Sequence, residues 1–462
     1  MRFSVVLPSF ERFLNRYLVV AVLFFVFSFS TVCAFKFEHK GSLGGDAKPY
    51  VLSAYHLAKN NTFSFSKERD NPTPGCRRAP GYPIFLAGLM SVFPQFLDDD
   101  FNWLFPPQGT PVSTAPSLLV IKYTQAGLLL ATAFMIAWMV WDYTQKRIPA
   151  YVTLWLIGFH PFLERYVHRL YREVFASFLI AAFALLIYLA LTRKRIIYYV
   201  LGGLVLGFLT LTMSQWVYVG AAGIIALAFC VIMQRANVVR ALTGVALLTI
   251  AWLAVFYPWE LRNEQLFGHK IIGAGGGVVL EIRSQYNMIP LSTYASSFAY
   301  WSRSPLLKKG LLTFVDQKNY VQLIRYEEEG AYYKAKVKFS ELAAEFGVAE
   351  ADRLLKEEAI QRIKEHPVRH LLLCIPITFR LMMNPMFSIL WIGVYALFGF
   401  AVYFALRKRA WSLLAVLAFP SALFCFNTLV SHGLTRYNGQ AAPLLIFGAV
   451  VGVHAYRTRT IE

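Results

Sequence analysis

Long apolar runs separated by short basic clusters dominate this sequence. Ten of these runs are long enough, or nearly long enough, to cross a lipid bilayer as α-helices. They cover residues 15–35, 117–141, 149–163, 173–192, 196–214, 217–233, 238–258, 386–406, 410–430 and 441–455. The pattern therefore predicts an all-α polytopic membrane protein, a bundle of about ten transmembrane helices.

Several other segments predict helices that do not cross the membrane. Pro80 to Pro94 is apolar but short and bounded by proline, which favours an interfacial or half-inserted helix. Tyr50 to Leu57 predicts a short interfacial helix, and His366 to Met383, where basic residues interrupt the apolar pattern, predicts another. Residues 319–365 alternate charged and apolar positions at helical spacing, which predicts an amphipathic helical pair that forms a solvated cap.

The basic clusters predict the orientation of the chain. The apolar run after Arg16 is too long for a secretory signal and has no A-x-A cleavage site, so we expect a retained first helix with a cytoplasmic N-terminus. Every basic cluster between spans then falls on the cytoplasmic side, as the positive-inside rule requires. These clusters are Lys146-Arg147, Arg193 to Arg195, Arg235 to Arg240, Arg407 to Arg409, and Arg457 with Arg459.

The same orientation divides the chain into three parts. Residues 1–258 form an N-terminal transmembrane catalytic module with an external loop at 36–116. Residues 259–385 form an external loop with the helical pair and an interfacial helix, and residues 386–462 form the C-terminal transmembrane helices. Because the external loops hold most of the remaining polar residues, we expect the chemistry outside the cytoplasm.

Composition supports this class and excludes others. Hydrophobic residues make up 57% of the 462 positions and charged residues 15%, with a mean hydropathy of +0.48, which is far from the balance of a soluble domain. The net charge of +19 comes from basic residues that lie mainly in short clusters between apolar runs and in polar loops, a pattern typical of the positive-inside rule, so we expect no nucleic-acid partner. The five cysteines are scattered without metal-ligand spacing and are expected to be small buried apolar residues.

The first external loop carries the sharpest chemical signal. Asp46 follows Gly44 and Gly45, and Arg77-Arg78 precede the rigid turn Ala79-Pro80-Gly81-Tyr82-Pro83. A carboxylate can accept a proton while guanidinium groups stabilise a departing phosphate. The simpler alternatives are a solvated surface aspartate and two arginines that anchor to anionic lipids.

Three further polar stretches are predicted on the same side. His160 to Glu173 contains Glu164 and Glu173, of which Glu173, at the start of a helix, is better placed to face inward. Pro258 to Asn263 is followed by a glycine run at 273–277, for which a flexible turn is the simplest explanation. Ser431 to Tyr437 offers His432 and Arg436 to an anionic group, although interfacial tyrosine and arginine are common in membrane proteins.

Together these motifs resemble the integral-membrane glycosyltransferases of the GT-C class, particularly the branch of protein O-mannosyltransferases and lipid A aminoarabinose transferases. In that branch an acidic residue near tyrosine is followed by a short helix and a basic Pro and Tyr turn. The family's Pro-Trp-x-x-Arg-Asn resembles Pro258 to Asn263, its helix ending in His-Pro resembles Ala359 to Pro367, and its final Arg-Tyr resembles Arg436-Tyr437.

The resemblance implies roles for individual residues. Asp46 would be the catalytic base, and Glu173 the second acidic position that contacts substrate. A donor phosphate would bind Arg77, Arg78, Arg262, His432 and Arg436, and substrate would be positioned by Tyr50, Tyr82, Asn263 and Tyr437. One departure is that Asp46 is followed by Ala47, where many relatives carry a paired acid.

The implied reaction is transfer of a hexosyl or pentosyl group, with inversion, from a polyprenyl-phosphate donor lipid to an acceptor hydroxyl on a lipid, glycan or protein. The resemblance implies the extracytoplasmic face of a bacterial inner membrane. No cofactor or metal is required, although a divalent ion between Asp46 and Glu173 is an alternative. Two other classes stay open: a transporter or lipid-linked-sugar flippase, in which the same charges line a pathway, and a noncatalytic assembly subunit.

Overall fold

A computed structural model describes residues 3–39, 45–93, 95–98, 116–235, 238–302, 320–383 and 388–458, with the single positions 306, 309, 310 and 313. Gly44, Pro94 and Arg459, which the sequence analysis singled out, lie outside the described residues, as does part of the basic cluster at 235–240. Within the described part the secondary structure is helical, without a strand. The all-α prediction is therefore confirmed.

The N-terminal half contains helices of very different length. They are α1 Phe3–His39, α2 Ala47–Asn60, α3 Gly81–Val92, α4 Gln95–Asp98, α5 Pro116–Thr144, α6 Arg147–Gly158, α7 Pro161–Val167, α8 Glu173–Arg193, α9 Ile196–Thr212, α10 Trp216–Gln234 and α11 Val238–Phe267. The two short helices predicted between the first spans are present as α2 and α3.

The C-terminal half adds the helices of the segment that the sequence predicts to be an external loop, called the external unit below, and three apolar helices. They are α12 Gly276–Gln285, α13 Leu291–Trp301, α14 Ala331–Phe346, α15 Val348–Glu365, α16 Pro367–Met382, α17 Ser388–Lys408, α18 Trp411–Val430, α19 Arg436–Gly439 and α20 Ala442–Thr458. The amphipathic pair expected at 319–365 is α14 with α15, and the helix expected at His366 to Met383 is α16.

Seven helices in the described part are long and apolar enough to cross a membrane: Leu18–Phe37, Leu118–Thr144, Glu173–Arg193, Trp216–Gln234, Val238–Phe267, Leu390–Lys408 and Trp411–Val430. Each corresponds to one of the ten predicted spans. The apolar helices Ile196–Thr212 and Ala442–Arg457, which correspond to two more, are shorter. The chain is thus a multi-pass membrane protein.

Two predicted boundaries differ from the structure. The segment at 149–163 was expected as one helix, but α6 ends at Gly158 and a separate helix, α7, begins at Pro161. The break occurs here because proline lacks the backbone N–H that an uninterrupted helix needs. Helix α11 instead continues through Pro258 to Phe267. Trp259 to Asn263, expected in a loop, are therefore helical.

Side-chain contacts show which helix ends share a side of the bundle. At one end the Tyr188 hydroxyl and the Arg193 guanidinium both donate to Asp142, at 2.8 and 3.3 Å. At the other end Arg172 donates to the Thr212 carbonyl at 3.1 Å. The basic clusters at Lys146-Arg147 and Arg193 to Arg195 thus lie at the end opposite to Arg172.

The external helices have a core of their own, separate from that of the membrane helices. Its buried side chains include Val278, Ile282, Trp301, Leu355 and Ile377. An ion pair at 2.7 Å between Arg362 and the buried Glu281 joins α15 to α12.

The glycine run at 273–277 belongs to this external unit. The carboxylate of Asp352 in α15 accepts hydrogen bonds from the backbone N–H groups of Gly275 and Gly277, at 2.8 and 2.9 Å. Gly277 lies so close to the Asp352 backbone that no side chain would fit there. The glycines thus allow the loop to pack closely against α15. They therefore have a defined structural role, whereas the sequence analysis expected only a flexible turn.

Candidate active site

Asp46 lies at the first turn of α2, in a backbone geometry that its neighbours fix. Gly45 has a φ of +60°, a conformation that glycine adopts without strain. A Cβ at Gly45 would collide with the hydroxyl of Tyr171, and that hydroxyl accepts a hydrogen bond from the Asp46 N–H at 3.1 Å. The loop before α8 therefore holds the aspartate in place.

Two arginines from distant parts of the chain hold the Asp46 carboxylate. Arg78 donates from Nη2 to Oδ1 at 2.7 Å, and Arg436 donates from Nη1 to Oδ2 at 2.9 Å. The carboxylate is partly buried, with 23% of the side chain exposed. Burial acts to raise its pKa, but Arg78 and Arg436 outweigh burial and lower it to about 2. Asp46 is thus ionised, and each of its two carboxylate oxygens accepts a hydrogen bond from an arginine.

Arg78 and Arg436 lie on different structural elements. Arg78 lies in the turn before α3, where Gly273 packs against the backbone: a Cβ there would lie 2.5 Å from the Ala79 nitrogen. Ala274 donates to the Cys76 carbonyl at 2.8 Å and completes this contact. Arg436 begins α19, the short helix between α18 and α20. The site therefore joins the first external loop to the C-terminal helices.

Glu173 is a second carboxylate beside Arg436. Its Oε1 lies 4.0 Å from Arg436 Nη1, its side chain is 4% exposed, and Oε2 has no hydrogen-bond partner among the described residues. Arg436 thus lies between the two carboxylates, at the place where the alternative prediction put a divalent ion. The predictions on metal binding at this place stay predictions.

The predicted tyrosines have different surroundings. Tyr50 and Tyr82 are buried and pack edge to face with ring centroids 5.4 Å apart, and Tyr82 donates to Gln125 at 3.1 Å. Burial raises the pKa of Tyr50, so it stays neutral. Tyr437 lies on the other side of the site, where its ring centroid is 5.8 Å from the Arg436 guanidinium.

Arg262 and Asn263 are not brought to Asp46. Arg262 stacks on Trp259 and donates to the Gly75 carbonyl at 3.3 Å and to Asn263 Oδ1 at 2.6 Å. Asn263 donates to the Ile271 carbonyl at 2.6 Å. Both side chains tie the end of α11 to loops that support the Arg78 turn. Their predicted substrate contacts stay predictions.

His432 is fully buried next to the site. Burial lowers its pKa well below the usual value, and Arg380, Arg436, Arg325 and Lys336 lower it further. Neither ring nitrogen has a hydrogen-bond partner among the described residues. His432 is therefore neutral near pH 7, and it would offer a phosphate a hydrogen bond without a positive charge.

The external helix α14 also reaches the site, which the sequence did not indicate. The Tyr332 ring lies 5.9 Å from that of His432, which in turn lies 5.6 Å from Tyr437. Arg325 stacks on Tyr332 at 4.3 Å and donates to its hydroxyl at 2.7 Å. A row of rings therefore runs from the external unit to Arg436.

Lys336 follows Tyr332 by one helical turn, and its ammonium lies 5.8 Å from the Tyr332 ring. Burial lowers the pKa of Lys336, and the nearby Arg78 and Arg77 lower it further. Helical spacing of Tyr332 and Lys336 was visible in the sequence, but an exposed lysine on an amphipathic helix is usually only solvated. The proximity of Lys336 to Arg78 depends on how the external unit packs.

The fold and the site define a polytopic helical membrane protein with a strongly cationic polar centre at one end of its bundle. No protein-family model matches the sequence, and no curated protein matches it. The structure is similar to that of the archaeal oligosaccharyltransferase AglB from Archaeoglobus fulgidus in complex with an inhibitory peptide and a dolichol-phosphate. The two chains are 14% identical with a TM-score of 0.47, over 96% of this chain and 52% of that chain. This chain thus spans about half the length of that one.

Proposed function

We propose that this protein is a membrane glycosyltransferase that moves a sugar from a polyprenyl-phosphate donor to an acceptor hydroxyl, with Asp46 as the general base. The observation that supports this most is the contact of Asp46 with Arg78 and Arg436. A proton acceptor and two cations for a phosphate leaving group lie within hydrogen-bond distance of one another.

The reaction would be a single displacement. The acceptor oxygen attacks the anomeric carbon while its proton passes to Asp46. The bond between that carbon and the phosphate oxygen breaks, and the electron pair leaves with the phosphate, whose charge Arg78 and Arg436 stabilise. Attack from the face opposite to the leaving group inverts the anomeric configuration.

The two arginines also suggest how the base becomes active. In the free protein both oxygens of Asp46 accept hydrogen bonds from arginine, and a carboxylate with a pKa of about 2 is a weak base. A donor phosphate would compete for the same guanidinium groups. As Arg78 turns towards the phosphate, the pKa of Asp46 rises, so the base would be competent only when the donor is bound.

Further positive charge surrounds this centre. Arg172, close to both Asp46 and Glu173, also lowers the pKa of Asp46. Arg77 and Lys336 lie near Arg78, and neither forms an ion pair with a described carboxylate within 4.0 Å. This excess of cations supports an anionic substrate, as a polyprenyl phosphate is.

Glu173 would contact the acceptor. It lies beside Arg436, and its free oxygen can accept a hydrogen bond from a hydroxyl group. This role differs from that of Asp46, because Glu173 is buried and is not in direct contact with Arg78. We propose that it orients the acceptor while Asp46 takes the proton.

The positive-inside rule supports an extracytoplasmic site. The clusters Lys146-Arg147 and Arg407-Lys408 lie at helix ends opposite to that of Asp46. A transport pathway would place ionisable side chains near the middle of the membrane. The Asp46 and Arg436 pair lies instead at the ends of helices, which favours a transferase over the transporter alternative.

The test is Asp46→Asn in the full chain. With a radiolabelled polyprenyl-phosphate sugar, transfer to membrane acceptors should fall by roughly 10²- to 10⁴-fold, since general base catalysis is lost. Asp142→Asn is the matched control, because Asp142 also pairs with an arginine but at the other end of the bundle. Its activity should stay near wild type. Normal turnover by the folded Asp46→Asn protein would exclude Asp46 as the base.

A further inference from the structure

Arg380, near the end of α16, contacts the loop that leads to Arg436. Its Nη1 donates to the His432 carbonyl at 2.7 Å. His432 belongs to residues 431–435, which join α18 to α19. Arg436, the cation beside both carboxylates of the candidate site, is the first residue of α19. A hydrogen bond from a guanidinium is stronger than one between neutral groups, so this contact can fix the loop four residues before Arg436.

The loop also packs closely on the same part of α16. Gly433 has a φ of +75°, and a Cβ there would lie 3.1 Å from Ile377 Cγ2 and 3.2 Å from Arg380 Cδ. Glycine adopts this backbone conformation without strain. The Gly433 N–H donates to the Ser431 hydroxyl oxygen at 3.1 Å. The loop is therefore held by its close packing on α16 as well as by the hydrogen bond from Arg380.

The Arg380 guanidinium is itself held by the core of the external unit. It lies over the Trp301 ring, 4.7 Å from the ring centroid, and Nη1 also lies 3.4 Å from the Tyr286 hydroxyl. Trp301 and Tyr286 are each 2% exposed, and their ring centroids lie 5.5 Å apart. Stacking of a planar guanidinium on an aromatic face restricts its orientation. Arg380 therefore connects the core of the external unit to the loop before Arg436.

The charge of Arg380 is not needed for the stability of the external unit. The side chain is half-buried, its partners in that unit are an aromatic ring and a hydroxyl group, and no described carboxylate lies within 4.0 Å of it. A cation taken out of water without a counter-charge is costly. This cost points to a role beyond packing, and the one strong hydrogen bond of Arg380 leads to the loop before Arg436.

We propose that Arg380 is a positioning residue: it holds the loop at 431–435 and thereby keeps Arg436 in place. Arg436 can then contact both Asp46 and Glu173. The core of the external unit would thus set how firmly the base of the proposed transfer is held. The effect on turnover rests on the proposed function, whereas the effect on the loop does not.

The role of Arg380 can be separated from the other charges around the base. The charged groups near Asp46 come from several elements: Arg78, Arg172, Glu173, Lys336 and Arg436. Of these, only Arg436 follows the loop that Arg380 contacts. Loss of Arg380 should weaken one of the two hydrogen bonds to the Asp46 carboxylate and leave that from Arg78. The pKa of Asp46 should then rise, by less than in Arg436→Ala, where the cation is absent.

The first measurement needs no turnover. Hydrogen–deuterium exchange of the purified full chain in lipid nanodiscs reports how firmly the loop is held. In Arg380→Gln, the peptide that covers residues 431–439 should exchange about tenfold faster, the effect of losing one hydrogen bond from a charged group. Peptides of α14 and α15 should keep their wild-type rates.

Arg369→Gln is the matched control. Arg369 lies on the same helix and also donates to a backbone carbonyl, that of Asn287 at 3.4 Å, but this contact stays within the external unit. Exchange at 431–439 should equal that of the wild type. An equal acceleration in Arg369→Gln and Arg380→Gln would show that α16 contributes only general stability, and the inference would be wrong.

The second measurement connects the loop to the reaction. In Arg380→Gln, the acid limb of kcat/KM for the polyprenyl-phosphate sugar should move to higher pH, by less than in Arg436→Ala. Arg380→Gln combined with Arg436→Ala should give the same limb as Arg436→Ala alone, because both changes act through one contact. A limb that moves in Arg436→Ala but not in Arg380→Gln would refute the inference, as would additive shifts in the double variant.

Arg380→Lys is a milder variant that keeps the charge. Its ammonium can donate to the His432 carbonyl but lacks the planar fork that stacks on Trp301. Loop exchange should lie between the wild-type and Arg380→Gln rates, and it should still exceed the wild type if Arg380→Gln does not fold. Wild-type exchange at 431–439 in every folded Arg380 variant would overturn the positioning role. If the wild type transferred no sugar, the proposed function would fail, and exchange alone would decide whether Arg380 holds the loop.

Discussion

The carboxylate of Asp46 and the guanidinium of Arg436, 390 positions apart in the sequence, form a hydrogen bond of 2.9 Å. This contact joins the first external loop to the short helix between the last two apolar helices. It also places the base of the proposed reaction under the control of a cation, since Arg436 with Arg78 lowers the pKa of Asp46 to about 2.

The first prediction concerns the pH dependence of Arg436→Ala. Loss of this cation removes stabilisation of the ionised carboxylate, so the pKa of Asp46 should rise from about 2 towards its ordinary value near 3.9. Asp46 is a usable base only above its pKa. The acid limb of kcat/KM for the donor should therefore move to higher pH in the variant, by about one to two units.

Arg193→Ala is the control for that measurement. It removes an arginine from an aspartate pair at the other end of the bundle, where Arg193 lies 3.3 Å from Asp142. Its pH profile should match that of the wild type. An acid limb in Arg436→Ala that stays where the wild type has it would show that Asp46 is not the group that titrates.

The second prediction concerns the external helix α14. Lys336→Gln removes a cation that lies near Arg78 and Arg77, so it should raise the KM for the donor about three- to tenfold. The rise should diminish at high salt, because dissolved ions screen the attraction between this cation and the donor phosphate. The KM is measured with a polyprenyl-phosphate sugar at two ionic strengths.

Lys338→Gln provides the comparison. Lys338 is on the same helix but pairs with Glu358 of α15 within the external unit. Its donor KM should stay near the wild-type value. Equal effects of the two substitutions would mean that α14 contributes only general stability.

The third prediction concerns Gly45. Gly45→Ala places a methyl group against the Tyr171 hydroxyl and forces alanine into a left-handed conformation, which costs about 1–2 kcal/mol by itself. Thermal stability should fall, and activity should fall further because Asp46 is displaced. The measurements are the melting temperature and the transfer rate.

A double variant separates the effect of the collision with Tyr171 from the effect of the left-handed backbone conformation. Tyr171→Phe removes the colliding hydroxyl together with its hydrogen bond to the Asp46 N–H. In Gly45→Ala with Tyr171→Phe, the collision is relieved and the backbone strain remains, so stability should recover only in part. Strictly additive losses in the two single variants would show that Gly45 and Tyr171 do not interact.

The fourth prediction concerns orientation. In a background without the five native cysteines, a cysteine at Glu329 should react with an impermeant maleimide from the extracytoplasmic side, and one at Lys408 only after permeabilisation. Glu329 is exposed in the external unit and Lys408 is exposed at the end of α17. Reversed accessibility would place the Asp46 site in the cytoplasm.

The pattern of apolar runs was sufficient to predict the helical membrane class. Seven of the ten predicted spans correspond to helices of membrane-crossing length, and the short helices α2, α3 and α16 were expected near their observed positions. These features could be predicted because the hydrophobic thickness of a bilayer sets the length of an apolar segment. The helix boundaries near prolines were predicted less well, because one helix ends before Pro161 whereas α11 continues through Pro258.

The sequence by itself indicated the candidate carboxylates, Asp46 and Glu173, and the arginines near them, because these charged residues stand in polar stretches between the apolar runs. Only the tertiary structure decided that Arg436 lies between these two acids, that Arg262 supports a loop instead, and that Lys336 reaches Arg78. Contacts of this kind join residues hundreds of positions apart. They follow from how helices pack side by side, and no local pattern of residues records that packing.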